Sequence, residues 1–271
     1  MTDINVRKTV IKIAYDGTNY AGWQRQNSET TVQGTIESCL STLFNRQTTL
    51  HGSGRTDAGV HALAQVAHFN RPEKFDSDKL FNAMNSLLPD DIEILSISSV
   101  DEDFHSRFSV VSKTYTYALN INENPSPFSA RYSWHYTYNL DMELIRKALE
   151  LLKGQHDFYY FTTPSAGENS SVREIFSANA EIVHGYMIIK ITGSGFLRYM
   201  IRAIVGTILK TGRGDISLDK FQSALQRKSI EPLPITLKAP ANGLYLHNVK
   251  YNNDIFDSDA RNRIFFFIPE F

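Results

Sequence analysis

The chain contains 271 residues with a formal net charge of -1, and its single cysteine, Cys39, excludes an internal disulfide. This length suits one large domain or two ordinary ones, and 42% hydrophobic with 21% charged residues is typical of a globular protein that needs neither disulfides nor metal. The near-neutral charge excludes a globally basic nucleic-acid binder, so any RNA site must be a local patch. The sequence contains no signal-peptide pattern and no apolar run of roughly 18 residues, and we expect a cytoplasmic protein.

Hydrophobic periodicity predicts alternating strands and helices in the first hundred residues. Val10 to Tyr15 is predicted as a strand that ends at the turn Asp16-Gly17. A helix is predicted from Thr30 to Phe44, with Thr30 and Gln33 as its capping box and Cys39 on its apolar, core-facing side. Further on, the pattern predicts a strand at 64–69, a helix at 77–88 and a strand at 92–100.

The second half repeats this mixed pattern. Strands are predicted at 113–119, 174–183, 186–192 and 244–251, helices at 141–153, 195–210 and 218–226, and a polar loop at 163–171. Helices between groups of strands indicate an α+β protein. We place the domain boundary near residues 105–112, which gives an N-terminal domain of residues 1–108 and a C-terminal domain of residues 109–271.

The loop from Gly52 to His61 is the most unusual segment, because it combines glycines with Arg55 and Asp57. Glycine lets a ligand approach the backbone closely, and an arginine two residues away would keep a carboxylate ionised, as a nucleophile requires. The alternative is that Asp57 caps a turn and pairs with Arg55 on the surface. The glycine spacing excludes a phosphate-binding P-loop, and His51, Asp57 and His61 lack a recognised metal-ligand spacing, so we expect no metal.

The segment around the predicted helix at 195–210 is locally basic. Arg198 and Arg202 are four residues apart and should project from the same side. Between residues 190 and 214 the chain has no acidic residue and five basic ones: Lys190, Arg198, Arg202, Lys210 and Arg213. This is the local charge that an anionic polymer would need, although a solvated helix face gives the same pattern.

Two tyrosines, Tyr115 and Tyr117, share one face of the predicted strand at 113–119. Aromatic rings of this kind can stack on an unpaired base. Spacing alone favours the alternative that both tyrosines belong to the core.

Taken together and in this order, these segments resemble the tRNA pseudouridine synthase A family. The matching segments are YDGTNYAGWQRQ (15–26), GSGRTDAGVHALAQVAHF (52–69), KTYTYAL (113–119), GFLRYMIRAIVGTI (195–208) and APANGLYL (239–246). The sequence around GRTDAGVHA is highly specific. The chain departs from the family pattern at Gly195, Arg198 and Tyr199, where family members usually carry alanine or asparagine and often paired histidines.

The resemblance implies an enzyme that converts uridine to pseudouridine at positions 38 to 40 of the tRNA anticodon stem-loop, without cofactor or metal. It implies two α+β domains with antiparallel or mixed sheets flanked by helices, which meet at a positively charged active-site cleft. It also implies a homodimer that binds tRNA.

The resemblance also assigns roles to residues. Asp57 is expected to be the catalytic nucleophile, Arg202 to pair with it, and Tyr115 to stack on the flipped uracil. Arg55 and His61 are the candidates for holding the RNA backbone and the target base. Two other classes remain open on the residues alone: a non-catalytic RNA-binding protein, and a hydrolase that uses Asp57 with a metal held by His51 or His61.

Overall fold

A computed structural model describes residues 6–72, 75–163, 170–227 and 238–256. Its secondary structure is mixed helix and strand, which confirms the predicted α+β class. The described residues form two compact units. Of the described residues, those up to Val111 and those from Leu246 to Phe256 belong to the first unit, and those between Ser112 and Tyr245 belong to the second. The predicted division into domains at residue 108 stays a prediction, since compactness alone does not establish independent folding.

The first unit is built on a sheet of mostly long strands. Their order is β4-β1-β3-β10, and the short strand β2 pairs with β3. The strands are β1 (Val6–Tyr15), β2 (His51–Gly52), β3 (His61–Pro72), β4 (Ile92–Ser99) and β10 (Leu244–Tyr251). β1 pairs antiparallel with both β3 and β4, and its residues from Thr9 to Ile11 are fully buried.

Two helices belong to this unit, α1 (Val32–Phe44) and α2 (Ser77–Leu87). The predicted capping box on α1 was wrong by one residue: Thr31 is the N-cap and accepts from the Gly34 N–H at 3.3 Å. Gln33 does not reach back to the cap because its side-chain amide donates to the Leu50 carbonyl at 2.9 Å. Cys39 is buried as predicted, and burial raises the pKa of its thiol to about 11, so the sulfur is an unreactive core group.

The strands of the second unit follow one another in the order β5-β9-β8-β7, and β6 lies beside β5. Its strands are β5 (Val110–Asn120), β6 (Trp134–His135), β7 (Gly154–Asp157), β8 (Val172–Val183) and β9 (Tyr186–Gly193). The β5–β9, β7–β8 and β8–β9 pairs are antiparallel, and β5–β6 is parallel.

Three helices belong to the second unit: α3 (Met142–Leu151), α4 (Met200–Gly212) and α5 (Leu218–Leu225). α4 is the most deeply buried of them because apolar residues occupy most of its surface, and α3 and α5 both pack against it. Most of the predicted polar loop at 163–171 lies outside the described residues. No helix in the described part of the chain is long and apolar enough to cross a membrane.

Candidate active site

Asp57 lies in the loop between β2 and β3, and its side chain is half-buried. Buried polar contacts fix the start of this loop. The Ser53 N–H donates to the Val66 carbonyl at 2.7 Å, and the Ser53 hydroxyl donates to Oε1 of Gln65 at 2.6 Å. The Gln65 amide in turn donates to the Gly54 carbonyl at 3.0 Å. Because buried and satisfied polar groups are costly to break, this end of the loop has one defined position.

The segment that follows β1 packs against the middle of the loop. The backbone N–H of Trp23 donates to the Thr56 carbonyl at 3.1 Å, and the Tyr15 hydroxyl lies 2.8 Å from Oγ1 of Thr56. Gly22 has a φ of +98°, and a Cβ there would lie 2.6 Å from the Thr56 carbonyl oxygen and 3.1 Å from the carbonyl carbon of Asp57. Only glycine combines this backbone angle with so close an approach.

The end of the loop is held in the same way. A Cβ on Gly17 would lie 2.0 Å from the Val60 carbonyl oxygen, so the two backbones are in direct contact. The Val60 N–H donates to the Asp57 carbonyl at 3.1 Å and closes a turn. Gly17 and Gly22 therefore allow the loop at 16–23 to support the backbone on both sides of Asp57.

Arg55 is exposed, and its Nε donates to Oε1 of Gln24 at 3.1 Å. Gln24 donates to Oε1 of Gln33 at 2.9 Å, and Gln33 donates to the buried carboxylate of Glu37 at 3.1 Å. Arg55 is thus connected through amide side chains to helix α1. This places its guanidinium at the loop surface with a neutral partner.

His61 begins β3 and is buried, with 2% exposure. Its Nδ1 lies 3.1 Å from the Gly17 N–H and 3.1 Å from a carboxylate oxygen of Asp16. The tautomer with its proton on Nε2 accepts from Gly17 through Nδ1, whereas the tautomer with its proton on Nδ1 donates to Asp16, so the two contacts are alternatives. In either state His61 ties β3 to the turn after β1.

The two tyrosines of β5 share one face but have different surroundings. Tyr117 is fully buried, and its hydroxyl donates to the Pro240 carbonyl at 2.9 Å, as a core residue requires. Tyr115 retains 8% exposure, and its ring meets Phe196 edge to face at 5.2 Å. Both tyrosines are therefore buried, and Tyr115 is the less completely enclosed of the two.

Arg202 projects from the first turn of α4 and is half-buried. Its Nε donates to the Ala239 carbonyl at 2.7 Å, and the Ala239 N–H donates back to the Arg202 carbonyl at 3.1 Å. This reciprocal pair fixes the guanidinium against the segment before β10. Ala239 begins the segment APANGLYL (239–246), but the sequence did not indicate its contact with Arg202, because its contribution is a backbone carbonyl.

The predicted basic segment does not form a single patch. Arg198 and Arg202 both lie over the ring of Tyr199, at 4.7 and 5.8 Å from guanidinium carbon to ring centroid. Arg213 lies at the other end of the 13-residue helix α4, about 20 Å away, where its Nε is 3.3 Å from Asp215. Arg198 and Arg202 therefore meet at the N-terminal end of α4, and Arg213 lies apart from them.

Three histidines form a cluster that the sequence did not indicate. His51 stacks on His68 at 5.0 Å, and His105 meets His68 edge to face at 4.7 Å. Nδ1 of His68 accepts from the Ser106 N–H at 3.2 Å, and the buried ring has its pKa lowered to about 4 by desolvation and by the neighbouring histidines. Among the described residues, no group of three or more His, Cys, Asp and Glu side chains has the geometry to hold a metal ion.

The five candidate site residues divide between the two units. Arg55, Asp57 and His61 lie on one loop of the first unit, and Tyr115 and Arg202 lie in the second unit.

Comparison with known proteins identifies the family. The family model described as "tRNA pseudouridine synthase" matches residues 11–109 and 148–252. The tRNA pseudouridine synthase A of Thermodesulfovibrio yellowstonii is 40% identical over 260 residues, which is 92% of this chain and 100% of that protein. The tRNA pseudouridine synthase A of Bacillus pumilus is 39% identical over 248 residues, with 91% and 100% coverage.

A crystal structure of the archaeal box H/ACA sRNP Nop10-Cbf5 complex is only weakly similar. Its TM-score is 0.32 and its identity 10%, over 74% of this chain and 44% of that chain, which is too low to support a conclusion. The sequence relationships extend over both units and include the Asp57 loop. The chain therefore belongs to the tRNA pseudouridine synthase A family and is an isomerase of that class.

Proposed function

We propose that this protein converts uridine to pseudouridine at positions 38 to 40 of the tRNA anticodon stem-loop, with Asp57 as the nucleophile. Relatives named tRNA pseudouridine synthase A match the chain over their whole length, which supports tRNA as the substrate. The finer assignment to the anticodon stem-loop rests on the resemblance of the sequence motifs.

The observation that carries the proposal is the support of the Asp57 loop. The backbone on both sides of Asp57 is in contact with the loop at 16–23, through Gly22 on one side and Gly17 on the other. A catalytic carboxylate must be held within about 0.5 Å of its productive position, and rigid backbone contacts of this kind provide that. A carboxylate that merely capped a surface turn would need no such support.

The reaction breaks the bond between uracil N1 and ribose C1′ and forms a bond between C5 and C1′. The base must first leave the helical stack, at a cost of a few kcal/mol. In one route the Asp57 carboxylate attacks C1′ and the uracil leaves with the bonding electron pair; in the other, Asp57 removes the C2′ proton as the base departs. After the base has turned, C5 bonds to C1′; in the first route the bond between Asp57 and C1′ breaks at this step, and in the second Asp57 returns the proton to C2′. C5 then loses its proton and N1 gains one, so no other reactant is consumed.

Residues of the second unit complete the proposed mechanism. Arg202, fixed by its bond to the Ala239 carbonyl, pairs with Asp57 and keeps that carboxylate ionised. Tyr115 stacks on the flipped uracil, and its hydroxyl, directly or through a water molecule, takes the C5 proton.

Arg55 and His61 have supporting roles in the proposal. The exposed Arg55 guanidinium contacts the RNA beside the flipped nucleotide, since its partner Gln24 leaves its positive charge unneutralised. The proposed role of His61 in holding the substrate is indirect. Its ring holds the turn at Asp16 and Gly17, and that turn contacts the loop after Asp57. We further propose that the protein is a cytoplasmic homodimer and uses no cofactor or metal.

The proposal is tested by mapping pseudouridine in tRNA transcripts that carry uridine at position 38, 39 or 40, after incubation with the protein and a chelator. Transcripts with cytidine at the three positions are the matched controls. We expect modification at these positions only, and at full rate with chelator present. Pseudouridine elsewhere in the tRNA would refute the assignment to the anticodon stem-loop, and loss of activity with chelator would favour a metal-dependent mechanism.

A further inference from the structure

Tyr199 is surrounded by positive charge. The guanidinium carbon of Arg198 lies 4.7 Å from the centroid of the Tyr199 ring, that of Arg202 lies at 5.8 Å, and Nζ of Lys238 lies at 3.7 Å. A guanidinium nitrogen of Arg198 also donates to the Tyr199 hydroxyl at 2.9 Å. We call Arg198, Tyr199, Arg202 and Lys238 the Tyr199 cluster.

The backbone conformation of Tyr199 also indicates that this arrangement is a ligand-binding site. Tyr199 is the N-cap of α4 and has a φ of +64° and a ψ of -2°, a left-handed conformation that a bulky residue rarely adopts. Its side chain makes no capping hydrogen bond to the helix. Strain of this kind persists where the surrounding structure requires it, and it clusters at ligand-binding sites.

Two other tyrosines of the same unit provide an internal comparison. Arg213 lies 4.0 Å from the Tyr138 ring and 3.3 Å from the Asp215 carboxylate. Arg227 lies 4.2 Å from the Tyr159 ring and 3.5 Å from Asp157. In both places a carboxylate of the protein balances the cation.

The Tyr199 cluster differs in this respect. Across the ranges that the structure describes, Arg198 and Lys238 have no carboxylate within ion-pair distance, and both side chains are exposed. The tyrosine face reduces the repulsion between the cations but cannot neutralise them. Among the described residues Arg198 and Lys238 therefore have no anionic partner, and guanidinium and ammonium groups held together in this way suit a phosphate.

We propose that Arg198 and Lys238, organised by Tyr199, form a binding subsite for one phosphodiester of the RNA substrate, at or next to the target nucleotide. This inference rests on the proposed function, because Arg202 belongs both to the cluster and to the proposed catalytic pair. The ligand is RNA because the substrate supplies a phosphate on each side of the flipped uridine.

The test measures binding of an isolated anticodon stem-loop RNA as a function of salt concentration. The Arg198→Gln/Lys238→Gln double variant should bind about ten-fold more weakly than wild type. A plot of the logarithm of its association constant against the logarithm of the salt concentration should have a slope shallower by about 0.7 to 0.9, as expected for one lost phosphate contact. Lys220→Gln is the matched control, because Lys220 is an exposed lysine of the same unit outside the cluster. The Arg198→Lys/Lys238→Arg variant keeps both charges and should keep the wild-type slope.

A second experiment identifies which phosphate of the RNA the subsite binds. The same RNA is prepared with a single neutral methylphosphonate on the 5′ or the 3′ side of the target uridine. With one of these RNAs, wild type and the double variant should bind equally well, because the contact is already lost. The proposal is overturned if the double variant has the affinity and slope of Lys220→Gln, or if its loss persists with both neutral RNAs. These readings use affinity alone, whereas a failure of the proposed function would appear as a wild-type protein that binds the RNA and forms no pseudouridine.

Discussion

Replacing Gly22 with alanine should impair catalysis without touching a proposed catalytic side chain. A Cβ at this position would lie 2.6 Å from the Thr56 carbonyl oxygen, whereas ordinary contact begins at 3.4 Å, so the Asp57 loop must move by about 0.8 Å. Since a displacement of about 1 Å can cost on the order of 100-fold in rate, we expect kcat/KM to fall between roughly 10-fold and 100-fold. The positive φ adds a stability cost of about 1–2 kcal/mol.

The chain offers a close control for this experiment. Gly154 has a φ of +96°, almost the same as the +98° of Gly22, but a Cβ there would meet no atom within 4 Å. Gly154→Ala should therefore lose a similar stability from backbone strain while retaining its activity. The assay is the initial rate of pseudouridine formation, with thermal unfolding of both variants measured in parallel. If Gly22→Ala is as active as Gly154→Ala, the contact with Gly22 does not set the position of the Asp57 loop, and the reasoning is refuted.

Three further changes test other parts of the account. Histidine has a pKa of 6.5 in the unfolded chain, whereas His68 has one of about 4 in the folded protein. As pH falls from 6.5 towards 4, the unfolded chain therefore gains a proton that the native state does not. The free energy of unfolding should fall by on the order of 2–3 kcal/mol over this range. In His68→Asn the pH dependence of urea unfolding should be flatter, and an unchanged profile would contradict this assignment. Tyr115→Phe keeps the stacking ring, so RNA affinity should remain while release of the C5 proton slows by about 100-fold or more; full activity would exclude the hydroxyl as the proton acceptor. Arg202→Lys keeps the charge but loses the Nε bond to Ala239, and kcat/KM should fall at least about ten-fold; wild-type kinetics would show that the fixed guanidinium is unnecessary.

The elements of the fold were largely predictable because hydrophobic periodicity reports burial directly. Helix α2 was expected at 77–88 and spans Ser77–Leu87, and strand β10 was expected at 244–251 and spans Leu244–Tyr251. The predicted cap of α1 was wrong because the Gln33 side chain bonds to Gln24 and Leu50, which lie outside the helix and in no local pattern, as well as to Glu37 one turn further along α1. The sequence also gave no sign that β10 belongs with the first unit, since strand pairing is set by tertiary packing.

The candidate site was predictable only in its residue types. The motif around Asp57 identified the loop, but the approach of Gly22 to the Thr56 carbonyl appears only when two distant segments are folded together. Arg198 and Arg202 were expected on one side, and both lie over Tyr199. The third cation, Lys238, is remote in sequence and gave no periodic signal, so the cluster could not be inferred from spacing.

Release of tritium from tRNA labelled at uracil C5 tests the central claim most directly. Wild type and Asp57→Asn are compared with chelator present, and the tRNA affinity of both is measured under the same conditions. Because Asp57 acts on the ribose rather than on phosphate, we expect release by wild type alone and tRNA affinities within a few-fold of each other. Release by Asp57→Asn at a rate near that of wild type, or a collapse of its tRNA affinity, would contradict the assignment of Asp57 as the nucleophile.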